Sequence, residues 1–110
     1  MVLAVLGLNH KTVSVDIREK FSISEESARD GLLHLSEQEG IKEAVVLSTC
    51  NRTEIYAVLK DEEDKEKLYH FFLTLSGNSK AEKEYFFFYT GTECIRHLFR
   101  VVTGDRKSVV

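Results

Sequence analysis

The chain has 110 residues, 43% of them hydrophobic and 30% charged, with a formal net charge of -3. This length suits a single domain with its own core, and the acidic balance excludes a protein that holds nucleic acid by bulk attraction, so that any such contact must be local. No apolar run approaches the roughly 20 residues that cross a bilayer and no signal peptide opens the chain, so we expect no membrane contact and a cytoplasmic location.

The N-terminal part predicts a strand, a loop and a helix. Residues 2–8 are apolar and include β-branched side chains, which is typical of a buried central strand. Residues 11–21 mix charged and apolar residues and predict a loop with one helical turn. Ser22 and Glu25 have the spacing of a capping box, so a helix is expected to begin there and to stop at Gly40.

A hairpin is predicted next. Residues 43–49 and 53–60 are two strand-like runs, and only residues 50–52 separate them. This places Cys50 at a strand tip. Free cysteine is often buried, which leaves a packing role open, but a hairpin tip presents a thiol better than it buries one.

The remaining elements complete a recognisable order. Residues 61–76 predict a second long helix, residues 85–89 an aromatic strand, and Thr92 is placed to cap a third helix. The order strand, helix, strand, strand, helix, strand predicts an α+β, ferredoxin-like βαββαβ fold. It has an antiparallel sheet, two helices on one face and a further C-terminal helix, all in one domain, residues 1–110.

Cys50 is the main candidate for chemistry. A cysteine attacks as the thiolate, which positive charge and hydrogen-bond donors favour, and Asn51 and Arg52 follow it directly. Cys94, beside Glu93, is expected to pack in the core. Two cysteines are too few for a disulfide framework, so both thiols are expected to be free.

The four histidines divide into two groups. His34 and His70 fall in amphipathic helices, where a partly exposed surface position is expected. His10 follows the first strand and is a candidate to approach Cys50. His97 shares a helix face with Cys94, but two such ligands fall short of the four that structural zinc requires, so no metal site is predicted.

Another class of function stays open at this point. The aromatic run at residues 85–89 suggests base stacking, as in a non-catalytic ferredoxin-like RNA-binding or regulatory module in which Cys50 merely packs. The glycine-and-aromatic strand signature of RNA-recognition sheets is absent, however. A strand of bulky aromatic residues is more often part of a core.

Three segments together resemble the N-terminal catalytic domain of glutamyl-tRNA reductase. They are residues 7–12 (GLNHKT) with 17–20 (IREK), residues 48–56 (STCNRTEIY), and residues 97–101 (HLFRV) with Gly104. The central motif is highly specific, the three occur in the family's order, and the resemblance covers essentially the whole chain.

The resemblance implies an activity. Cys50 would attack the glutamyl ester of glutamyl-tRNA, expel tRNA and form a thioester, which NADPH would reduce to glutamate-1-semialdehyde in the first step of tetrapyrrole (porphyrin) biosynthesis. His97 would be the histidine important for activity near the thiol. Arg52 would bind the glutamate carboxylate as a bidentate fork.

Further substrate-binding residues follow from the same resemblance: Thr49, Asn51, Asn9 and His10. Where the family has a substrate-contacting serine after Gly104, this chain places Lys107 or, with a shift of one residue, Ser108. Val13 and Ser14 replace the family's usual Ala-Pro, outside the proposed chemistry.

The resemblance also implies what lies outside these 110 residues. NADPH would be bound by a Rossmann domain, and a helical domain would form the homodimer of the full-length enzyme; neither is present in this chain. We therefore expect a catalytic domain that accepts and hydrolyses the glutamyl group but does not reduce it. A local basic patch is the candidate surface for tRNA: Lys11, Arg18, Lys20, Arg100, Arg106 and Lys107.

Overall fold

Four strands form one antiparallel sheet in the computed structural model, which describes residues 1–11 and 13–104. They are β1 (Val2–Leu8), β2 (Ile41–Ser48), β3 (Thr53–Leu59) and β4 (Phe86–Thr90). Their spatial order is β2-β3-β1-β4, and every neighbouring pair is antiparallel. This order confirms the predicted α+β, ferredoxin-like fold.

Within the described residues, four α-helices accompany the sheet: α1 (Val15–Lys20), α2 (Glu25–Leu33), α3 (Lys65–Leu75) and α4 (Gly91–Gly104). Short 3-10 turns at Leu35–Glu37, Glu62–Asp64 and Lys83–Tyr85 connect them to the strands. In the described part of the chain, no helix combines the length and apolar character needed to cross a bilayer.

The alternation of β1 separates the two faces of the sheet. Ala4, Leu6 and Leu8 join the main core, which includes Leu68 and Phe72 of α3, both fully buried. Partly buried Ala28 brings α2 to the same core, as the two-helix face of the predicted fold requires.

The opposite face of the sheet carries α4. Val5 on β1 is fully buried outside the main core, and Cys94 and Val101 of α4 are buried as well. The predicted C-terminal helix and the packing of Cys94 are therefore confirmed, but the helix begins at Gly91 and includes Thr92, so the prediction that Thr92 caps it was wrong. Because residues 54 and 56 of β3 alternate onto this face, polar side chains are enclosed between the sheet and α4.

The start and end predicted for α2, at Ser22 and Gly40, were wrong. Ser24 rather than Ser22 caps α2, its hydroxyl accepting a hydrogen bond from the Ser27 amide at 3.1 Å. The Ser22 hydroxyl instead donates to the Glu19 carbonyl at 3.0 Å, because the preceding segment is a true helix, α1, and its end needs partners. The helix ends at Leu33, and Gly40, with a φ of 88°, turns the chain into β2.

Candidate active site

The turn between β2 and β3 holds Cys50 at the surface. The Thr49 hydroxyl accepts hydrogen bonds from the amides of Asn51 and Arg52, at 3.2 and 3.1 Å, and the Thr49 amide donates to the Arg52 carbonyl at 2.7 Å. These contacts fix residues 49–52 around an exposed, free thiol. The prediction that a hairpin tip presents Cys50 rather than burying it is confirmed.

Cys50 lines a cavity of about 200 Å³, which we name the thiol cavity. Its other lining residues come from the ends of β1 and β3, from the turn, from α1, and from the second residue after the end of α1: Leu8, Val15, Arg18, Glu19, Ser22, Thr49, Asn51, Arg52 and Thr53. Val15 and Leu8 give it an apolar wall, and charged and amide side chains also line it.

A second cavity, of about 210 Å³, lies between the residues that follow β1, strand β4 and helix α4. We name it the cationic cavity because basic side chains are frequent in its lining. The lining residues are Asn9, His10, Lys11, Arg52, Phe87, Tyr89, His97, Arg100 and Val101. Arg52 lines both cavities. Arg52 is therefore the residue that the thiol cavity and the cationic cavity share.

Glu54 is a buried carboxylate at the centre of this region, with only 1% of the residue exposed. One carboxylate oxygen, Oε2, lies 2.7 Å from His97 Nε2 and 3.4 Å from Arg52 Nη1. The other, Oε1, accepts a hydrogen bond from the Tyr56 hydroxyl at 3.0 Å. A buried carboxylate needs partners of this kind, because an unpaired charge inside a protein is costly.

Glu54 was missed by the sequence analysis. The signal that could have found it is a single acid at a central-strand position, between Thr53 and Ile55, in a run that is otherwise built for burial. An acid at such a position is stable only with buried partners.

The His97 ring is positioned by aromatic packing as well as by Glu54. Phe87 and Tyr89 of β4 stack on each other with their ring centroids 5.0 Å apart, and the imidazole lies 4.7 Å from the first and 5.5 Å from the second. The imidazole is therefore held by contacts with both aromatic rings and by the contact of Nε2 with Glu54. The other three rings of the run, Tyr85, Phe86 and Phe88, pack against the main core, which favours a structural role for most of the aromatic run.

Gly7 makes room for these groups. It pairs with Glu54 on one side and Phe87 on the other. A Cβ at this position would lie 2.7 Å from the Phe87 ring and 2.9 Å from Glu54 Cγ, both well inside contact distance. The absence of a side chain at residue 7 therefore lets the carboxylate and the ring approach β1.

Two pKa shifts describe the electrostatics of the region. Burial, and then the charges of Arg52 and Lys11, lower the pKa of His10, which favours its neutral form. Burial, and then the charge of Glu54, raise the pKa of Cys94, so that this thiol stays protonated. The two cysteines therefore differ in both exposure and environment.

The structure gathers most of the predicted site residues around Arg52. Thr49, Cys50 and Asn51 line the thiol cavity, whereas Asn9, His10 and His97 line the cationic cavity. His10, the candidate to approach Cys50, thus lines the other side of Arg52. Lys107 and Ser108 lie outside the described residues, as does Arg106.

The predicted basic patch is divided between the cavities. Lys11 and Arg100 line the cationic cavity, and Arg18 lines the thiol cavity. Lys20 is exposed at the end of α1. The remaining histidines, His34 and His70, are exposed on or beside helices, as predicted.

Comparison with known proteins gives a consistent result. Residues 6–109 match the family model described as the glutamyl-tRNAGlu reductase N-terminal domain. Similar curated proteins named glutamyl-tRNA reductase include one from Desulforudis audaxviator, 42% identical over 94% of this chain and 24% of its own length. Another, from Synechocystis sp., is 43% identical over 94% of this chain and 25% of its own length.

A third relative, from Oceanobacillus iheyensis, is 45% identical over 94% of this chain and 23% of its own length, and is also named glutamyl-tRNA reductase. The chain spans about a quarter of the length of these curated relatives. The match includes every lining residue of both cavities, from Leu8 to Val101. The chain therefore belongs to the family of glutamyl-tRNA reductase N-terminal domains.

Proposed function

We propose that this chain is the acyl-transfer domain of a glutamyl-tRNA reductase, in which the Cys50 thiolate attacks the glutamyl ester of glutamyl-tRNA. The observation that supports it best is the position of Arg52. This cation lies two residues after an exposed thiol and also lines a cavity rich in basic groups. A substrate that joins an anionic side chain to an activated carbonyl suits such a pair of neighbouring sites.

The proposed reaction is transfer of an acyl group from oxygen to sulfur. A bond forms between Cys50 Sγ and the ester carbonyl carbon, and the bond from that carbon to the terminal ribose oxygen breaks. The thiol proton ends on the ribose hydroxyl of the released tRNA. The product is a glutamyl thioester on Cys50, which water hydrolyses slowly in this chain.

Arg52 is assigned to the glutamyl side chain. Its guanidinium can bind a carboxylate through two parallel hydrogen bonds. Glu54 Oε2 lies 3.4 Å from Arg52 Nη1, and this contact orients the guanidinium. His10, Lys11 and Arg100 add positive or polar character to the same cavity. Asn9 lines it as well and supplies an amide for the substrate.

His97 is assigned as the second catalytic residue. A carboxylate only accepts hydrogen bonds, so the His97 nitrogen 2.7 Å from Glu54, Nε2, carries the hydrogen. In the neutral ring, Nδ1 is then the basic nitrogen. We assign it the task of accepting the proton released during attack and returning it to the leaving hydroxyl. Thr49 and Asn51, next to the thiol, complete the substrate contacts.

Reduction is assigned to the longer relatives. This chain has no G-x-G-x-x-G sequence of the kind that binds dinucleotides, so we propose that NADPH is bound by residues outside these 110. When bound, NADPH supplies the hydride that converts a thioester to the aldehyde, glutamate-1-semialdehyde. We likewise propose that the full-length enzyme is a homodimer.

The test is covalent capture of glutamate. The 110-residue chain is mixed with glutamyl-tRNA labelled in its glutamyl group, and the acid-stable adduct is located by peptide mass mapping. We expect the label on the unsubstituted chain and on Cys94→Ala, the matched control, but none on Cys50→Ala. Equal labelling of Cys50→Ala would show that another residue is the nucleophile.

A further inference from the structure

The two cavities that meet at Arg52 differ in chemistry. The thiol cavity has an apolar wall, formed by Leu8 and Val15, and carries Cys50 on its lining. The lining of the cationic cavity has more basic side chains, among them Lys11 and Arg100. A ligand with one anionic half and one neutral, flat half would match this pair of environments.

The proposed substrate has these two halves, and the ester that Cys50 attacks lies between them. On one side is the glutamyl group with its carboxylate, which suits the cationic cavity. On the other side is the 3'-terminal adenosine of the tRNA, an uncharged heterocycle on a ribose. We infer that the thiol cavity is the binding site for this terminal adenosine; the inference rests on the proposed function.

The lining of the thiol cavity matches a nucleoside. An adenine ring needs an apolar or cationic surface for its faces, which Val15 and the planar guanidinium of Arg18 can supply. Its edge and the ribose need hydrogen-bonding groups, and Glu19 and Asn51 line the same space. These side chains come from α1 and from the turn, which therefore act together as one recognition surface.

The size of the cavity agrees with this occupant. Its volume is about 200 Å³. Pockets for whole drug-sized ligands usually measure about 300–1,000 Å³, so this cavity fits one nucleoside rather than several nucleotides. The rest of the acceptor strand would then run outside it, in agreement with a chain whose net charge of -3 leaves no general attraction for RNA.

Val15 offers a clean test, because it lines the cavity and is 56% exposed, so that a larger side chain there does not disturb the core. Val15→Trp would fill the adenosine site. Val45, 64% exposed on β2 and not part of either cavity lining, provides the matched control Val45→Trp. Far-ultraviolet circular dichroism establishes that both variants are folded before any rate is compared.

Acylation of Cys50 is measured with two donors, glutamyl-tRNA and a small glutamyl thioester that lacks a nucleoside. Contacts with one nucleic-acid base contribute about 1–3 kcal/mol of binding free energy, and about 1.4 kcal/mol corresponds to a factor of ten. Because Val15→Trp would block these contacts, we expect it to lower kcat/KM for glutamyl-tRNA by about tenfold or more. The same variant is expected to accept the small thioester as well as the unsubstituted chain does. Val45→Trp is expected to match the unsubstituted chain with both donors.

A second measurement uses adenosine alone. Millimolar adenosine is expected to slow the alkylation of Cys50 in the unsubstituted chain and in Val45→Trp, but not in Val15→Trp. This readout does not require any acylation activity, so it tests the cavity separately from the reaction.

Three results would overturn the inference: an unchanged rate of Val15→Trp with glutamyl-tRNA, an equal loss with both donors, or no protection by adenosine. If the substitution leaves acylation intact and impairs only NADPH-dependent reduction in a full-length relative, the cavity belongs to the reductant instead. Failure of the proposed function gives a different result, since Cys50 of the unsubstituted chain would then accept glutamate from neither donor.

Discussion

His97 Nε2 lies 2.7 Å from Glu54 Oε2, with the two side chains 13% and 1% exposed. The contact joins α4 to the central strand β3 across the opposite face of the sheet from the main core. It orients the imidazole and selects its tautomer, because a carboxylate can only accept. Glu54, which lines neither cavity, can therefore position the proposed catalytic histidine without contacting the substrate.

The first prediction concerns Glu54→Gln, which keeps the size of the side chain but removes its charge. We expect acylation of Cys50 to slow by about 10–100-fold, a part of the roughly 10²–10⁴-fold that a positioned general acid–base residue contributes. We also expect the 15N spectrum of His97 to show a mixture of tautomers. Tyr56→Phe removes a different Glu54 contact and serves as the control, with a smaller effect on rate and no change of tautomer. A Glu54→Gln chain with the original rate and tautomer would rule out this positioning role.

His10 provides a test of where the glutamyl group binds. Its pKa is lowered by burial and by the cations Arg52 and Lys11, so its charged form is disfavoured. A carboxylate bound in the cationic cavity would offset these charges, and we expect added glutamate to raise the pKa of His10 in a proton NMR titration. His34, exposed beside α2 with a pKa raised by its contact with the Asp30 carbonyl, should not respond. Glutamate binding without any shift at His10 would place the carboxylate elsewhere.

The two cysteines should differ in reactivity toward iodoacetamide near neutral pH. Cys50 is exposed, whereas Cys94 is 1% exposed and has a pKa raised by burial and by Glu54. Each unit of elevation lowers the thiolate fraction about tenfold, and burial adds steric protection. Peptide mass mapping should therefore find Cys50 modified at least about tenfold faster. Equal rates in the folded chain would contradict the burial of Cys94.

The hairpin was predictable from sequence because it depends on local signals, whereas the strand order was predicted from the order of the elements along the chain. The apolar side chains of residues 2–8 indicate a strand that is buried on both faces. The turn at Cys50 is short, so the two strands that flank it are expected to pair as a hairpin. The helix boundary at Ser22 was not predictable in the same way. Two serines lie close together there, and only the end of α1 decides which of them caps α2.

The site was predictable only in its motif residues. Cys50, Arg52 and His97 lie within segments that resemble a known family, but the separation of the two cavities depends on tertiary packing. Glu54 shows the limit most clearly, since its partner on α4 is 43 residues along the chain. Sequence spacing alone does not indicate which helix covers which face of a sheet.

Alkaline pH should destabilise the chain through Tyr56. Burial, and then Glu54, raise the pKa of its hydroxyl well above the ordinary value, so the folded state retains a proton that the unfolded state loses. The stabilisation is complete below the unfolded pKa, about 10, and declines as the pH rises above it. Urea unfolding between neutral and strongly alkaline pH should show this decline. The loss of stability should be smaller in Tyr56→Phe. Cys94, whose pKa is also raised, contributes a further loss of stability in both chains, and that loss begins at lower pH. Identical pH profiles for the two chains would contradict this account.

Gly7 is expected to be essential to the site for a steric reason. A methyl group there would meet the Phe87 ring at 2.7 Å and Glu54 Cγ at 2.9 Å, and these side chains hold the His97 imidazole. Gly7→Ala should therefore cost about 1–3 kcal/mol of unfolding free energy, the usual cost of overpacking, and should also slow acylation. The stability change is measured by urea unfolding and the rate by single-turnover transfer from glutamyl-tRNA.

Gly77→Ala is the matched control for this variant. Gly77 has a φ of 76° with open space around it, so alanine there is strained by about 1–2 kcal/mol but displaces no neighbour. The two variants should lose similar stability, and only Gly7→Ala should lose acylation rate, since only its methyl group moves Glu54 or Phe87. If both variants slowed acylation equally, the loss would follow from general destabilisation, and the close approach of β1 to Glu54 would have no part in catalysis.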